Sequence, residues 1–201
     1  NKMKKAVDKV LNSVSYNAPV VLTFTLIAVV VEILHSITPL RFTHDLFVAS
    51  RGSLLNPLFY VRLFTHAIGH ANWSHLIGNF TTILLIGPML EEKYGSKKLL
   101  MMMLFTAFLT GVLHVILTPY GAVCGASGIV FMFILLAACS NIEDGTIPLT
   151  LILIAFIYIG GEVMDMFKRD NVSQLSHIIG GICGGCFGIV FTKPKKSSSS
   201  Y

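Results

Sequence analysis

Four side chains in this sequence have types and surroundings that suit chemistry: Ser127, His177 and the pair His75 and Asn79. Ser127 stands in Gly125-Ala126-Ser127-Gly128, behind the turn Thr118-Pro119-Tyr120-Gly121 and ahead of a long apolar run. That pattern puts the serine in the first turn of a buried helix, where glycine lets other backbone come close. By itself, such a serine is more often a packing contact than a nucleophile. The histidine of Ser176-His177-Ile178-Ile179-Gly180 changes the reading. A neutral imidazole can take the hydroxyl proton as the oxygen attacks a carbonyl carbon, then hand it to the leaving amine. Partial burial favours that neutral form. His75 and Asn79 are four residues apart and share a helical face. With the backbone N–H of Ser127 they can donate hydrogen bonds to an oxyanion, where each donor is worth about 10²–10³ in rate.

The elements that must position these groups follow from composition. The chain has 201 residues, 54% hydrophobic and 12% charged, with mean hydropathy +0.74. Soluble domains carry roughly 25% charged residues, so this chain cannot cover itself with a polar surface and reads as a membrane protein. Its length suits one compact unit of several spans. The net charge of +5 does not point to nucleic acid, because the lysines gather at the ends and around Lys93, Lys97 and Lys98, beside apolar runs, as topology signals do. Cys124, Cys139, Cys183 and Cys186 lie in or beside apolar segments, so Cys183-Gly184-Gly185-Cys186 reads as small packing residues, not as a redox or zinc motif.

Six spans are predicted, at about 20 apolar residues per crossing: residues 18–37, 73–90, 98–117, 127–141, 147–166 and 174–191. Lys2, Lys4 and Lys5 precede the first, with no A-x-A-like cleavage site, so it reads as an uncleaved span. The fourth is short and is expected to begin below the membrane surface, after a loop surrounded by protein or a watery cavity. With the N-terminus inside, ten Lys/Arg residues fall on the cytoplasmic side and Arg41, Arg51, Arg62, Lys168 and Arg169 on the other, ten against five of the 15. Both termini are therefore expected in the cytoplasm. The long connection between the first two spans contains Leu46-Phe47-Val48 and the run from Leu54 to Tyr60, expected as short helices resting on the outer lipid interface. Residues 1–17 read as a cytoplasmic N-terminal segment and 193–201 as a polar, serine-rich cytoplasmic tail. The absence of a visible repeat argues against a transporter built from duplicated halves.

This topology makes a prediction about depth. The second, fourth and sixth spans all enter from outside, with His75, Ser127 and His177 in their first turns. Four polar residues far apart in sequence thus reach similar depth, where such groups are costly and usually functional. Gly180, Gly184 and Gly188 recur every four residues on the sixth span and allow the close helix approach that contact between Ser127 and His177 needs.

Other chemistries fit less well. His66, His70 and His75 form a possible metal cluster, but no H-E-x-x-H and no acidic partner accompany them. Glu162 and Asp165 sit on one span, whereas an aspartyl dyad faces across two. Glu32, His35 and His114 read as span-end or packing residues. A channel or transporter has few charged groups with which to line a path.

Three motifs occur in order on these spans: His70-x-x-x-x-His75-x-x-x-Asn79, Gly125-x-Ser127-Gly128 and His177-x-x-Gly180-x-x-x-Gly184. Glu91-x-x-x-Gly95 follows the second span. Across residues 18–192 the chain resembles the rhomboid family of intramembrane serine proteases. The resemblance implies an all-α, six-span bundle with a membrane-lying first outer loop, in a bacterial cell membrane. It implies Ser127 as nucleophile and His177 as base without an acid, with His75, Asn79 and the Ser127 amide as oxyanion hole. Phe131 would take the place of the aromatic, usually Tyr, that packs on the catalytic histidine. His70, Gly125, Gly128, Gly180 and Gly184 would be structural residues near the site. No cofactor or metal is implied. The partners would be transmembrane protein substrates, entering from lipid between the second and fifth spans and cut after a small residue. The rival within the resemblance is an inactive relative that binds membrane segments without cutting them. Three positions depart from the family pattern: the Trp-Arg pair of the outer loop is Val61-Arg62, the alanine before the catalytic histidine is Ser176, and the arginine two residues after Glu91 is Lys93.

Overall fold

The computed structural model describes residues 13, 15–38, 42–118, 120–139, 149–150, 152–154, 156–157 and 171–191. Helix α1 is Pro19–Ile37. Proline suits its first position because the missing N–H would have no partner there. The preceding residue, Ala18, supplies no side-chain cap, and the cap comes from elsewhere in the chain. Glu91 accepts the N–H of Val20 at 2.9 Å and of Val21 at 3.0 Å, one on each carboxylate oxygen. The Ser96 hydroxyl donates to the first of these oxygens at 2.7 Å. A buried carboxylate (4% exposed) thus meets the unpaired donors and positive dipole end of another helix.

Two short helices, α2 (Phe42–Phe47) and α3 (Pro57–Thr65), occupy the connection that follows. Asn56 caps α3 by accepting the Leu58 N–H at 3.0 Å. Arg62 donates through Nε and Nη2 to the Asp45 carbonyl, and the Thr65 hydroxyl donates to that of Leu46 at 2.5 Å. The arginine of the family's Trp-Arg position therefore ties α3 to α2 without its tryptophan partner. Leu54, Leu55, Leu58 and Val61 are exposed.

Helices α4 (Trp73–Tyr94) and α5 (Ser96–Leu117) form a hairpin around Gly95, whose φ of +82° is left-handed backbone that favours glycine. Helix α6 is Ser127–Cys139 and α7 is Asn171–Phe191. Residues 19–37, 96–117 and 174–191 are long and apolar enough to cross a membrane; this is an integral membrane protein. At 13 residues, α6 spans only about 20 Å of an apolar core about 30 Å thick. It is apolar on every side, and Met132, Phe133 and Leu136 are fully buried, which is the pattern of a central helix. The predicted span at 147–166 lies largely outside the described residues, as do Glu162 and Asp165; 149–150, 152–154 and 156–157 are helical.

One element was not anticipated from periodicity. Ala49 and Ser50 pair antiparallel with Val123 and Ala122, joining the outer connection to the loop that leads into α6. Arg51 secures the same corner, donating to the Val115 and Ile116 carbonyls at the end of α5 at 3.0 and 3.1 Å.

Glu91→Ala leaves two buried backbone donors unpaired, and we expect it to lower stability by about 2–4 kcal/mol. Glu91→Gln, which keeps one acceptor oxygen, should lose less. Thermal unfolding in detergent micelles ranks the two.

Candidate active site

Helices α6 and α7 touch backbone to backbone. A methyl group on Gly180 would overlap the Gly128 carbonyl oxygen and sit 2.8 Å from its carbon. One on Gly184 would overlap the Met132 carbonyl, and one on Gly188 the Cys139 side chain. Residue numbers rise together along this seam, so the two helices run parallel. The start of α6, which carries Ser127, lies beside the second turn of α7, which carries His177; α7 begins earlier than expected, at Asn171, so His177 is not in its first turn. Phe131, one turn after Ser127 and on the same face, packs its ring on that of His177 with centroids 4.2 Å apart. Ser127 and His177 are both partly exposed.

Upstream of Ser127 the loop is fixed at successive amides. The Gly125 N–H donates to the His66 carbonyl at 2.8 Å, and the Ala126 N–H donates to His70 Nε2 at 3.3 Å. An N–H can only donate, so His70 Nε2 carries the lone pair and Nδ1 the proton, which goes to the Ile68 carbonyl at 3.0 Å. Asn79 Nδ2 must then also donate to Nε2, at 3.0 Å. Its second hydrogen is left for another acceptor. Ala126 accepts the Val130 N–H at 2.9 Å. Ser127 is therefore the first residue of α6, and its own N–H has no carbonyl partner within the helix.

His75 and Asn79 converge on Gly125. A methyl group there would lie 2.8 Å from His75 Nε2 and 3.5 Å from Asn79 Nδ2, and Gly125 has φ +117°. Both space and backbone geometry demand glycine. His75 is held by its own N–H, donated to Asn72 Oδ1 at 2.9 Å, and its ring lies edge-on to His70 at 5.0 Å. It is also close enough to His177 for the two rings to interact electrostatically. Ser127, His75, Asn79 and His177 thus belong to one site, with Phe131, His70, Gly125, Gly128 and Gly180 around it. Gly184 lies further along the seam.

Residues 58–194 match the Rhomboid domain family. This chain is a member of the rhomboid family. It is 30% identical over 146 residues to the rhomboid protease GluP of Bacillus subtilis, covering 70% of this chain and 28% of GluP. It is 27% identical over 147 residues to the putative rhomboid protease YdcA of the same organism, covering 70% of each. It is 28% identical over 146 residues to the rhomboid protease GlpG of Haemophilus influenzae, covering 68% of this chain and 72% of GlpG. The chain spans little more than a quarter of GluP's length.

In this rhomboid, His66 and His70 each have a ring nitrogen committed to protein partners. His66 Nε2 hydrogen-bonds the Ala107 carbonyl at 2.9 Å, and His70 is spent on Ile68, Asn79 and Ala126. From its residue type, His66 reads only as a member of the His66, His70 and His75 metal-type cluster. Its part in the site is a backbone carbonyl, which no residue type announces. Ser176 is 1% exposed, and its carbonyl faces Gly128.

Burial pushes the pKa values of His66 and His70 down to about 4, helped by neighbouring His114 and His75 respectively, and opposed by the Ala107 and Ile68 carbonyls. Below about pH 6.5 the unfolded chain takes up protons that the native rings refuse. Stability should therefore be full above about pH 6.5 and fall progressively toward about pH 4. Unfolding in micelles across that range should show the slope, and it should be shallower in His70→Gln.

Proposed function

We propose that this protein is an intramembrane serine endopeptidase, with Ser127 as nucleophile and His177 as its base. The observation that carries the reading is the contact of α6 with α7 at Gly128 and Gly180, which sets the start of α6, just after Ser127, against the stretch of α7 one turn after His177. His177 takes the Ser127 proton as Oγ attacks a peptide carbonyl carbon. The oxygen that becomes negative is stabilised by the Ser127 N–H, the His75 ring and the remaining hydrogen of the Asn79 amide. Collapse breaks the C–N bond, and the amine leaves with the proton from His177. Water then enters by the same route: its oxygen attacks the acyl carbon as His177 takes its proton, and collapse breaks the ester bond, with the proton returning from His177 to Ser127 Oγ.

In this reading the chemistry lies near the outer surface of the membrane, in a six-span arrangement with both termini in the cytoplasm of a bacterial cell. A membrane helix presents its carbonyls already hydrogen-bonded. The substrate is therefore a transmembrane segment that unwinds locally near its outer end. His70 takes one hydrogen of the Asn79 amide, and in this reading the other is the one donated to the oxyanion.

Ser127→Ala and His177→Ala should each abolish cleavage of a single-span substrate in vesicles while leaving the thermal unfolding transition in place. Ser127→Ala should also abolish labelling by a fluorophosphonate. Cleavage that survives either change excludes the dyad; an unlabelled, inactive native chain identifies a non-cleaving binder of membrane segments. Asn79→Ala should lower turnover by about 10²–10³ with a smaller change in KM. Unchanged turnover would remove it from the oxyanion role.

A further inference from the structure

Two apolar cavities flank one ridge on the side of the molecule formed by α1, α3 and α5. The larger, about 490 Å³, lies between α1 and α5 and is floored by Ile129 of α6. The smaller, about 390 Å³, lies on the outer side of α5. Leu100, Leu104 and Phe64 line both, so the cavities run side by side with a shared wall. Each is of the size that ligand pockets have, about 300–1,000 Å³. Lys97 also lines the smaller cavity, one turn before the ridge residues Leu100 and Met101. It is exposed, in the first turn of α5, where the helix dipole adds to its positive charge.

The geometry points to a binding site for one anionic diacyl phospholipid, its two chains straddling the Leu100–Leu104 ridge and its phosphate on Lys97. A half-open apolar cavity and an open apolar groove that share a wall match two acyl chains on one glycerol better than they match a compact ligand. A cation at one end of the pair selects for negative charge in the headgroup, and basic sites between membrane helices select anionic lipids in this way. Phe64 lines both, its ring stacked on Phe108, about three turns along α5 from Lys97, with centroids 5.1 Å apart. The site is separate from the proposed dyad and needs no catalysis to be detected.

The test uses the full chain in nanodiscs of equal parts phosphatidylcholine and phosphatidylglycerol, followed by transfer to detergent and native mass spectrometry of retained lipid. One phosphatidylglycerol per chain should be retained, about five-fold in preference to phosphatidylcholine, which is the effect of one lysine at a membrane surface. Lys97→Gln should bring the two lipids to parity without ending retention. Ile27→Trp, which fills the larger cavity from an exposed position, should reduce retention of both. Lys93→Gln should behave as the unmodified chain. Equal retention of the two lipids by the unmodified chain overturns the proposal. So does an unchanged preference in Lys97→Gln, unchanged retention in Ile27→Trp, or a loss in Lys93→Gln equal to that in Lys97→Gln.

Discussion

The contact between the Gly128 carbonyl and the Cα of Gly180 is the constraint on which the rest of this structure depends. Lipid gives helices no hydrophobic reason to associate, so their approach is decided by packing and hydrogen bonding. Here both side chains at the crossing are hydrogen, and a single methyl group would overlap backbone. Closeness fixes register as well as distance. With Gly184 against Met132 and Gly188 against Cys139, α6 has no freedom to slide along α7, and a helix too short to span the bilayer is held at one depth. The level of Ser127 relative to His177 follows from that seam.

The polar groups around the seam are arranged by a second rule: in a medium without water, each backbone donor needs a partner inside the protein. The loop before Ser127 cannot pair with itself, and its amides at Gly125 and Ala126 go to His66 and His70. The start of α1 has the same problem, and Glu91 answers it from another helix. Residues that look like candidates for chemistry by type are thus largely occupied with satisfying backbone. The imidazole of His70 does both at once. By accepting from Ala126 it fixes its own tautomer, and by accepting from Asn79 it sets which way that amide points.

Much of this was legible in the sequence because it rests on local signals. Pro19, Asn72 and Gly95 mark helix ends through their own backbone chemistry, and the apolar runs between them give helices close to the expected bounds. The seam was legible too, since glycine at every fourth position presents one bare stripe. The pairing of Ala49–Ser50 with Ala122–Val123 was not, because two-residue strands have no periodicity and their partners lie more than seventy positions apart. Nor was the part played by His66: its carbonyl does the holding, and a carbonyl is common to all residues. Phe131 entered by resemblance alone. Its physical reason is its place one turn from Ser127, where the face that looks toward α7 continues onto the ring of His177.

The segment from His66 to His70 joins the two sides of the molecule. Inward, it supplies the carbonyl of His66 and the ring of His70 to the loop before Ser127. Outward, Ala67 and Ile68 line the larger apolar cavity, and the Ile68 carbonyl accepts the Nδ1–H that sets the tautomer of His70. The peptide at Ile68 thus borders the cavity on one side and orients His70, with Asn79 and Ala126 bound to that ring, on the other. Packing against the membrane and hydrogen bonding at the site are therefore served by the same residues.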